Sequence, residues 1–597
     1  MDLIRSIRLA LIGGIIFSVV FALHYSFIDS NLYQARDDGV ITMSVGRHLV
    51  DFGFIGVSPS GPIVEASSSP LQTFVYAVSY YLTEVDYKNY SVFQTAVSTF
   101  LIGAIFISFF KDRPNLAPAI TFTAATALSF QYSFSLWHAS GMENALTHVL
   151  FLVSVFLLFD MVSKHRINYF WALPIFLASI ARIDSVVHVA PLLVFFSVYW
   201  LVCEKRAGGF YLSVLVGLLW LAFQSGRLVY FGDLLPNTAY AQNISVSGRM
   251  GRILNGDIAL AISSFTIASN IFVLQGWWIS LLGFPFLIIA KLNRAEKFVL
   301  LAIATLFISA CLTPVLFGPA RIDPTRITTH VTLLLILWLA IVLTSNSLTR
   351  SPAHIFRVLL LIGSFGVAAI ARPPYYLGWS TQGFDETRLR FAKLAEAHNI
   401  DRPLVSNPDL GAMTWHKQFN VFDLGALGSP VVAKLSETKL ISNYLLEFAR
   451  PDFIESHGYW TKRYCADLFL DKRFSQLYTP ANAEIAILQM CQSQNPETVI
   501  WVRKGIERDS DSLERQLLDD LQNNLDTTRI RTELEICALN NGDCRYVVRT
   551  IYRFIPELRK SQRLVEVIAF LDSDLAQAYL LGWQDTLNHL MILREFE

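Results

Sequence analysis

The chain has 597 residues, matches 48 basic with 48 acidic side chains, is 53% hydrophobic, and carries charge at only 16% of its positions. An ordinary soluble domain is about 25% charged, so the deficit points to lipid as part of the solvent. A net charge of zero also argues against nucleic acid as a partner, because phosphate backbones call for a basic surplus.

The first apolar run, residues 9–28, follows Arg5 and Arg8 and shows no small-x-small cleavage site, so it reads as an uncleaved anchor rather than a signal peptide. Further runs have the length needed to cross a hydrocarbon core about 30 Å thick. They predict helices at 91–110, 115–134, 145–162, 168–185, 187–203, 209–229, 271–290, 298–317, 328–345 and 356–372. Residues 70–82 and 248–268 read as partial or surface-lying helices. Short basic loops occur at 111–113, 164–166, 204–206, 291–294 and 350–357. With about eleven crossings and the N-terminus inside, all five fall on the cytoplasmic face, as the positive-inside rule expects.

From residue 380 the charge density becomes that of a soluble protein. The expected fold is therefore a polytopic α-helical membrane domain over 1–375, with an outer loop at 29–90, in the cell's inner (plasma) membrane. An extracytoplasmic α/β domain follows over 380–597. Within it, 386–398, 437–448 and 513–523 have helical periodicity, and PLVSN and FNVFDL read as strands. Four of the six cysteines, Cys465, Cys491, Cys537 and Cys544, lie in this tail. Three pairings are open, and the turn-forming NNGD between Cys537 and Cys544 favours a bond between those two.

Ionisable groups are costly in membrane helices unless paired or hydrated. Here they collect at the expected outer helix ends: Asp37 and Asp38 in QARDDG, then Arg47, His48 and Glu65; His138 and Glu143 in WHASGMEN; Arg182 and Asp184 in ARIDS; Asp233, Asn237 and Tyr240 in YFGDLLPNTAYAQN; and Arg321, Asp323 and Arg326 in GPARIDPTR. Each cluster alone fits interfacial caps and snorkelling side chains. Together they predict one hydrated, outward-facing cavity. Adjacent carboxylates repel, which makes Asp37 or Asp38 a proton acceptor candidate. Guanidiniums suit a phosphate.

Residues 30–460 resemble a known family. RDDGVITMSVGRHLVDFGF…VEASSSPLQTF is similar to the first outer loop of GT-C fold glycosyltransferases, in the branch that includes mycobacterial terminal β-arabinofuranosyltransferases. SGMENAL, ARIDS, YFGDLLPNTAYAQN, SNPDLGAMTWHKQFNVFDLGALGSP and RPDFIESHGYW resemble that branch's later motifs in the same order. The resemblance implies transfer of a sugar, an arabinofuranose in that branch, from a polyprenyl-phosphate donor to a glycan or protein acceptor at the outer face. Asp38 or Asp37 would act as base, with Arg47, Glu65, His138, Glu143, Arg182, Asp184, Asp233, Asn237, Tyr240, Arg321 and Arg326 holding donor and acceptor.

Departures from the pattern are Glu65-Ala66-Ser67-Ser68 for EGYT, Gln242 for a lysine, and Arg326 without the prolines that normally accompany it. Metal dependence varies across the fold, which leaves a divalent cation open as cofactor; no His/Cys cluster has metal-ligand spacing. The rival class is a transporter or lipid flippase, which calls for ionisable residues near the midplane and interrupted helices in matching halves.

Overall fold

A computed structural model of the chain describes residues 2–27, 35–59, 63–242, 246–281, 287, 291–318, 325–344, 382–400, 403–435, 437–481 and 487–504. Seven helices in it are long and apolar enough to cross a membrane: Ile4–Phe27, Tyr87–Ser108, Asn144–Ser163, Ile183–Val202, Gly208–Phe231, Arg294–Phe317 and Arg326–Leu343. The architecture is that of a multi-pass membrane protein. The most deeply buried of the seven is the last, with every residue from Thr329 to Leu343 buried. A helix that is hydrophobic all round has no face for water. The Gly208–Phe231 helix instead exposes Val214, Leu218 and Leu221, as a lipid-facing helix does. The first helix packs on Tyr87–Ser108 through Gly13 and Gly103. A Cβ at Gly103 would lie 2.2 Å from the Gly13 carbonyl oxygen, so small residues set this crossing.

Several boundaries differ from those expected. The run 115–134 breaks at Gln131, whose side chain caps a new helix, so Ala117–Phe130 is only 14 residues long. The run 168–185 ends as a helix at Ala181, because Arg182 adopts an extended conformation. The expected span 271–290 is not continuous: the chain turns at Gly276, and among the described residues the next helix is Trp278–Leu281. The apolar helix there is Ile258–Leu274, joined to Gly248–Leu254 at a bend of 113°. Polar Asn255, Gly256 and Asp257 at the bend account for the break, with Asp257 capping the second helix. The 70–82 segment forms the helix Pro70–Thr83, at 14 residues too short to span upright. The expected span 356–372, the tail helices beyond 505, and Cys537 and Cys544 lie outside the described residues.

Four of the basic loops meet at one end of the helical unit. Arg113 pairs with Glu296 at 2.9 Å and donates to Thr344 Oγ1 at 2.7 Å. Glu204 faces Arg294 at 2.5 Å and His165 at 3.6 Å.

The chain forms two compact units. The first comprises Met1–Gly39, Ser69–Gly232 and Ile244–Ser380; the second comprises Val40–Ser68, Asp233–Asn243 and the described residues from Thr381 on. The division falls inside the helix Asp37–Phe52. Residues 40–68 and 233–243, assigned by sequence to the membrane region, thus fold with the tail.

The second unit holds a five-stranded sheet of β1 (Leu404–Asn407), β2 (Asn420–Asp423), β3 (Phe453–Ser456), β4 (Tyr478–Pro480) and β5 (Val499–Arg503). Its order is β2-β1-β3-β5-β4, with β1 parallel to β2 and β3, and β5 antiparallel to β3 and β4. Val405, Val421 and Phe453 form one buried layer with Phe391, Ile41, Val45 and Val57. Cys465 and Cys491 form a disulfide, which leaves Cys537 and Cys544 as the remaining tail pair.

Candidate functional site

Five of the singled-out residues come together in the first unit. Arg326 donates to Asp38 and, at 3.4 Å, to Glu143 Oε1. Arg182 donates to the same Glu143 oxygen, and grips Asp184 with Nε at 2.8 Å and Nη2 at 3.2 Å. The result is one chain of alternating charge, Asp38–Arg326–Glu143–Arg182–Asp184, drawn from four separate stretches of sequence. Glu143 has no exposed side-chain surface, and Arg326 and Arg182 keep 10% and 13% of theirs. Burying charge is tolerable only when each charge is paired and hydrogen-bonded. Two atoms still lack a hydrogen-bond partner among the described residues, Glu143 Oε2 and Arg326 Nε.

Local sequence explains how each group is held. Asp38 begins the Asp37–Phe52 helix, and the preceding Arg36 N–H donates to the Ser140 carbonyl at 2.9 Å. Gly39 makes this approach workable, because a Cβ there would sit 2.7 Å from the Ser140 oxygen. Glu143 precedes the first turn of the Asn144–Ser163 helix, after a turn at Gly141 with φ of 73°. Gln72 and Gln94 exchange amide hydrogen bonds at 3.0 and 2.9 Å and reach the Gly141 and Met142 carbonyls. Ser69 Oγ donates to the Ala181 carbonyl at 2.6 Å, fixing the chain just before Arg182. Arg326 is fixed through its backbone: Asn144 Nδ2 donates to its carbonyl at 2.7 Å, and Gln275 Nε2 to the Thr325 carbonyl at 2.9 Å.

The cluster lies at the end of the Asn144–Ser163 helix opposite the 164–166 basic loop. Twenty residues at 1.5 Å each separate the two ends by about 30 Å.

His138 takes another place. Its Nδ1 is 2.9 Å from His148 Nδ1 and its Nε2 is 3.1 Å from Ser98 Oγ, while His148 Nε2 reaches Thr329 Oγ1 at 2.9 Å. Asn144 also donates to Thr329, so a buried polar chain joins the histidine pair to the Arg326 backbone. His138 is therefore linked to the cluster only indirectly.

Asp37, the first residue of the Asp37–Phe52 helix, also lies in the first unit, next to Asp38. Arg47, Glu65, Asp233, Asn237 and Tyr240 lie in the second unit. Arg47 pairs with Asp51 at 3.1 Å, donates to the Trp415 carbonyl at 2.9 Å and lies over the Trp415 ring. Asn237 donates to the Ala426 and Leu427 carbonyls, and Lys434 pairs with Asp233 at 2.9 Å and lies over Tyr240. Glu65 is buried in the same unit. Arg321 and Asp323 lie outside the described residues. Sequence reasoning overlooked Gln72, Gln94, Asn144, His148, Gln275 and Thr329. Their signal was present: amides and imidazoles inside apolar helices are costly unless they have a task.

Among the described residues no group of three His, Cys, Asp or Glu side chains could hold a metal ion. The fold and site thus define a multi-pass helical membrane protein with a buried carboxylate–guanidinium cluster at one helix end. No protein-family model matches the chain, and no curated protein matches it.

Proposed function

We propose that the protein is a GT-C-type glycosyltransferase that moves a sugar, an arabinofuranose by resemblance, from a polyprenyl phosphate to a glycan or protein hydroxyl outside the cytoplasm. The observation carrying this reading is the cluster itself. Asp38, Glu143, Arg182 and Asp184 come from stretches that resemble the family's motifs, Arg326 from one that keeps the arginine without its prolines, and they form one hydrogen-bonded group. In the reaction the acceptor oxygen bonds to the anomeric carbon while the bond from that carbon to the phosphate oxygen breaks. The acceptor proton passes to Asp38, and polyprenyl phosphate leaves. Such base assistance is worth about 10²–10⁴-fold.

Both arginines already face carboxylates, so their first task is to orient Asp38 and Glu143. A donor phosphate would bind by sharing Arg326, whose Nε lacks a partner among the described residues. The orientation draws support from the four basic loops gathered at the end remote from the cluster, and the Cys465–Cys491 bond fits an oxidising compartment. Eleven crossings require, besides the seven long helices, the bent pair and residues 356–372, that the apolar helices Ala117–Phe130 and Tyr169–Ala181 cross although they are no longer than Pro70–Thr83. A transporter reading calls for interrupted helices in matching halves; among the described residues apolar runs are interrupted at Gln131, at the bend between Gly248–Leu254 and Ile258–Leu274, and at Gly276.

The test is transfer by purified protein in liposomes, with polyprenyl-phosphate arabinofuranose as donor, an arabino-oligosaccharide as acceptor, and product read by mass. D38N should lose at least about 10²-fold with folding retained, and D37N less. Near-normal transfer by the D37N/D38N double variant would remove the base assignment. A reporter active on the cytoplasmic side when fused after Glu597 would overturn the orientation.

A further inference from the structure

The three parallel strands of the second unit end in a row of polar side chains that packing does not explain. Val421, Val405 and Phe453 occupy one buried layer on the face covered by Phe391. Two residues further along each strand, on the same face, stand Asp423, Asn407 and Glu455. Asn407 is paired with Asp423 in register, and one step beyond the recorded Ser406–Ile454 pairing places Glu455 beside it. Asp423 is employed in the turn after β2, accepting from the Gly425 and Gly428 N–H groups at 2.6 and 2.8 Å.

The other two are not fully employed. Glu455 is 3% exposed and Asn407 fully buried, yet Glu455 Oε2 and Asn407 Nδ2 have no hydrogen-bond partner among the described residues. Leaving such an atom buried without a partner is unfavourable, a cost that the valines and phenylalanine of the layer below do not carry. Burial pushes the Glu455 carboxyl up to about 7, against the nearby Arg390 guanidinium and with the Asp409 carboxylate.

A partly open rim adjoins the row. His457 Nδ1 stands 4.0 Å from Glu455 Oε1, and its Nε2 stands 3.5 Å from Asp409 Oδ2. The Asp409 N–H donates to Asn407 Oδ1 at 2.6 Å, which leaves the amide nitrogen of Asn407 for another acceptor. His457 and Asp409 keep 30% and 45% of their side-chain surface, so the rim beside the row meets solvent while Asn407 and Glu455 lie beneath it. Aromatic surface lies alongside. Tyr459 is 66% exposed, and a Cβ at Gly425 would lie 3.6 Å from the Trp460 ring and 3.5 Å from the Pro408 carbonyl oxygen, which sets that ring by the ends of β1 and β2.

We propose that this carboxyl edge of β1 and β3 binds a neutral saccharide, with Asn407 and Glu455 taking adjacent hydroxyls, Asp409 and His457 closing the rim, and Tyr459 or Trp460 meeting a sugar face. Ligands of open α/β sheets bind outside the carboxyl ends of the strands. Side chains on neighbouring strands stand about 4.8 Å apart, close enough for an amide and a carboxyl to share one ring. The acidic rim residue Asp409 disfavours an anion. A metal ion is disfavoured by the Arg390 field on Glu455 and by the absence, among the described residues, of any three-ligand group. The site lies wholly within the second unit and does not depend on the transfer chemistry proposed above.

Full-length protein in detergent would be titrated at pH 6.5 with arabinotriose, mannotriose and maltotriose, one at a time, and with trigalacturonate as the anionic control, by saturation-transfer NMR. At least one neutral trisaccharide should bind with a dissociation constant of about 1 mM or tighter. E455L should weaken it at least about tenfold while leaving the melting temperature unchanged or raised, because it deletes an unpaired buried polar group. E455Q should bind within about threefold of wild type, and H457A, at the rim, should weaken binding without unfolding. The proposal is overturned if no neutral trisaccharide binds wild type, if trigalacturonate binds best, or if E455L binds as wild type. Loss of melting temperature in E455L would equally overturn it, marking the residue as structural. Sugar transfer plays no part in any of these readings, so this proposal and the enzyme reading fail separately.

Discussion

Replacing Glu143 by glutamine keeps the side chain's shape and removes the carboxylate that Arg182 and Arg326 share. Neither guanidinium can recover much hydration, since they keep 13% and 10% of their side-chain surface. Deleting one partner of a buried ion pair costs about 3–5 kcal/mol. Here each arginine retains a second carboxylate, Asp184 at 2.8 Å for Arg182 and Asp38 for Arg326. The glutamine oxygen also still accepts one hydrogen bond, so the expected cost falls to about 2–3 kcal/mol. At roughly 2 °C per kcal/mol for a large domain, the apparent melting temperature should drop by about 4–6 °C. Tryptophan fluorescence of wild type and variant in one detergent reads this directly. Combining E143Q with R182Q should cost less than the sum of the single changes by about 1–3 kcal/mol, because the second change removes a charge the first left short of partners. Unchanged melting for E143Q together with strict additivity would refute the shared buried pair and detach Glu143 from the cluster.

Glu455 makes stability of the second unit depend on pH with a definite sign. Its carboxyl is raised from 4.5 to about 7, so the folded state holds a proton that the unfolded state releases. Stability is therefore full below pH 4.5, falls as pH rises towards 7, and loses roughly 3 kcal/mol in all. Hydrogen exchange at β3, corrected for intrinsic rates, should show this fall in wild type and not in E455Q. Thiol labelling of denatured, unreduced protein should modify Cys203 and Cys311 and leave Cys465 and Cys491 protected. Labelling of all four would remove the disulfide. G103L should separate the first helix from Tyr87–Ser108 and lower folded yield in membranes, because the Gly13 carbonyl occupies the space a side chain would need; a normal yield with unchanged melting would contradict the crossing.

The spans that sequence located well are those with a single physical cause. Residues 9–28, 145–162, 209–229 and 298–317 are unbroken apolar runs between charged or turn-forming ends, and the helices observed there agree within several residues. The runs that misled contain a residue whose side chain competes for the backbone. Gln131 caps a new helix within 115–134, and Asp257 does the same at the start of Ile258–Leu274. Hydropathy averages over such positions, so a window scores them as membrane whether the chain passes through or turns. The strands PLVSN and FNVFDL were legible because buried parallel strands read as short apolar runs. The contribution of 40–68 to that core was hidden, because Ile41, Val45 and Val57 look like ordinary loop and helix hydrophobics until their partners are known.

The site was legible as a set of residue types and obscure as a set of contacts. Lipid makes a lone charge expensive, so Glu143, Arg182 and Arg326 were conspicuous, and the physics that exposed them also requires that they pair with one another. Composition could not say which pairs form. The arginines Arg182 and Arg326, read as phosphate contacts, are engaged by Glu143, Asp38 and Asp184 in the structure. Asp233, Asn237 and Tyr240, read as ligand-facing, hold the 426–434 segment of the second unit. The residues that fix the pairing are neutral ones: Gln72 and Gln94 at the Gly141 turn, and Asn144 and Gln275 at Arg326. An amide costs less to bury than a charge and satisfies backbone carbonyls at a helix break, which is where a rigid frame for buried ions has to be anchored.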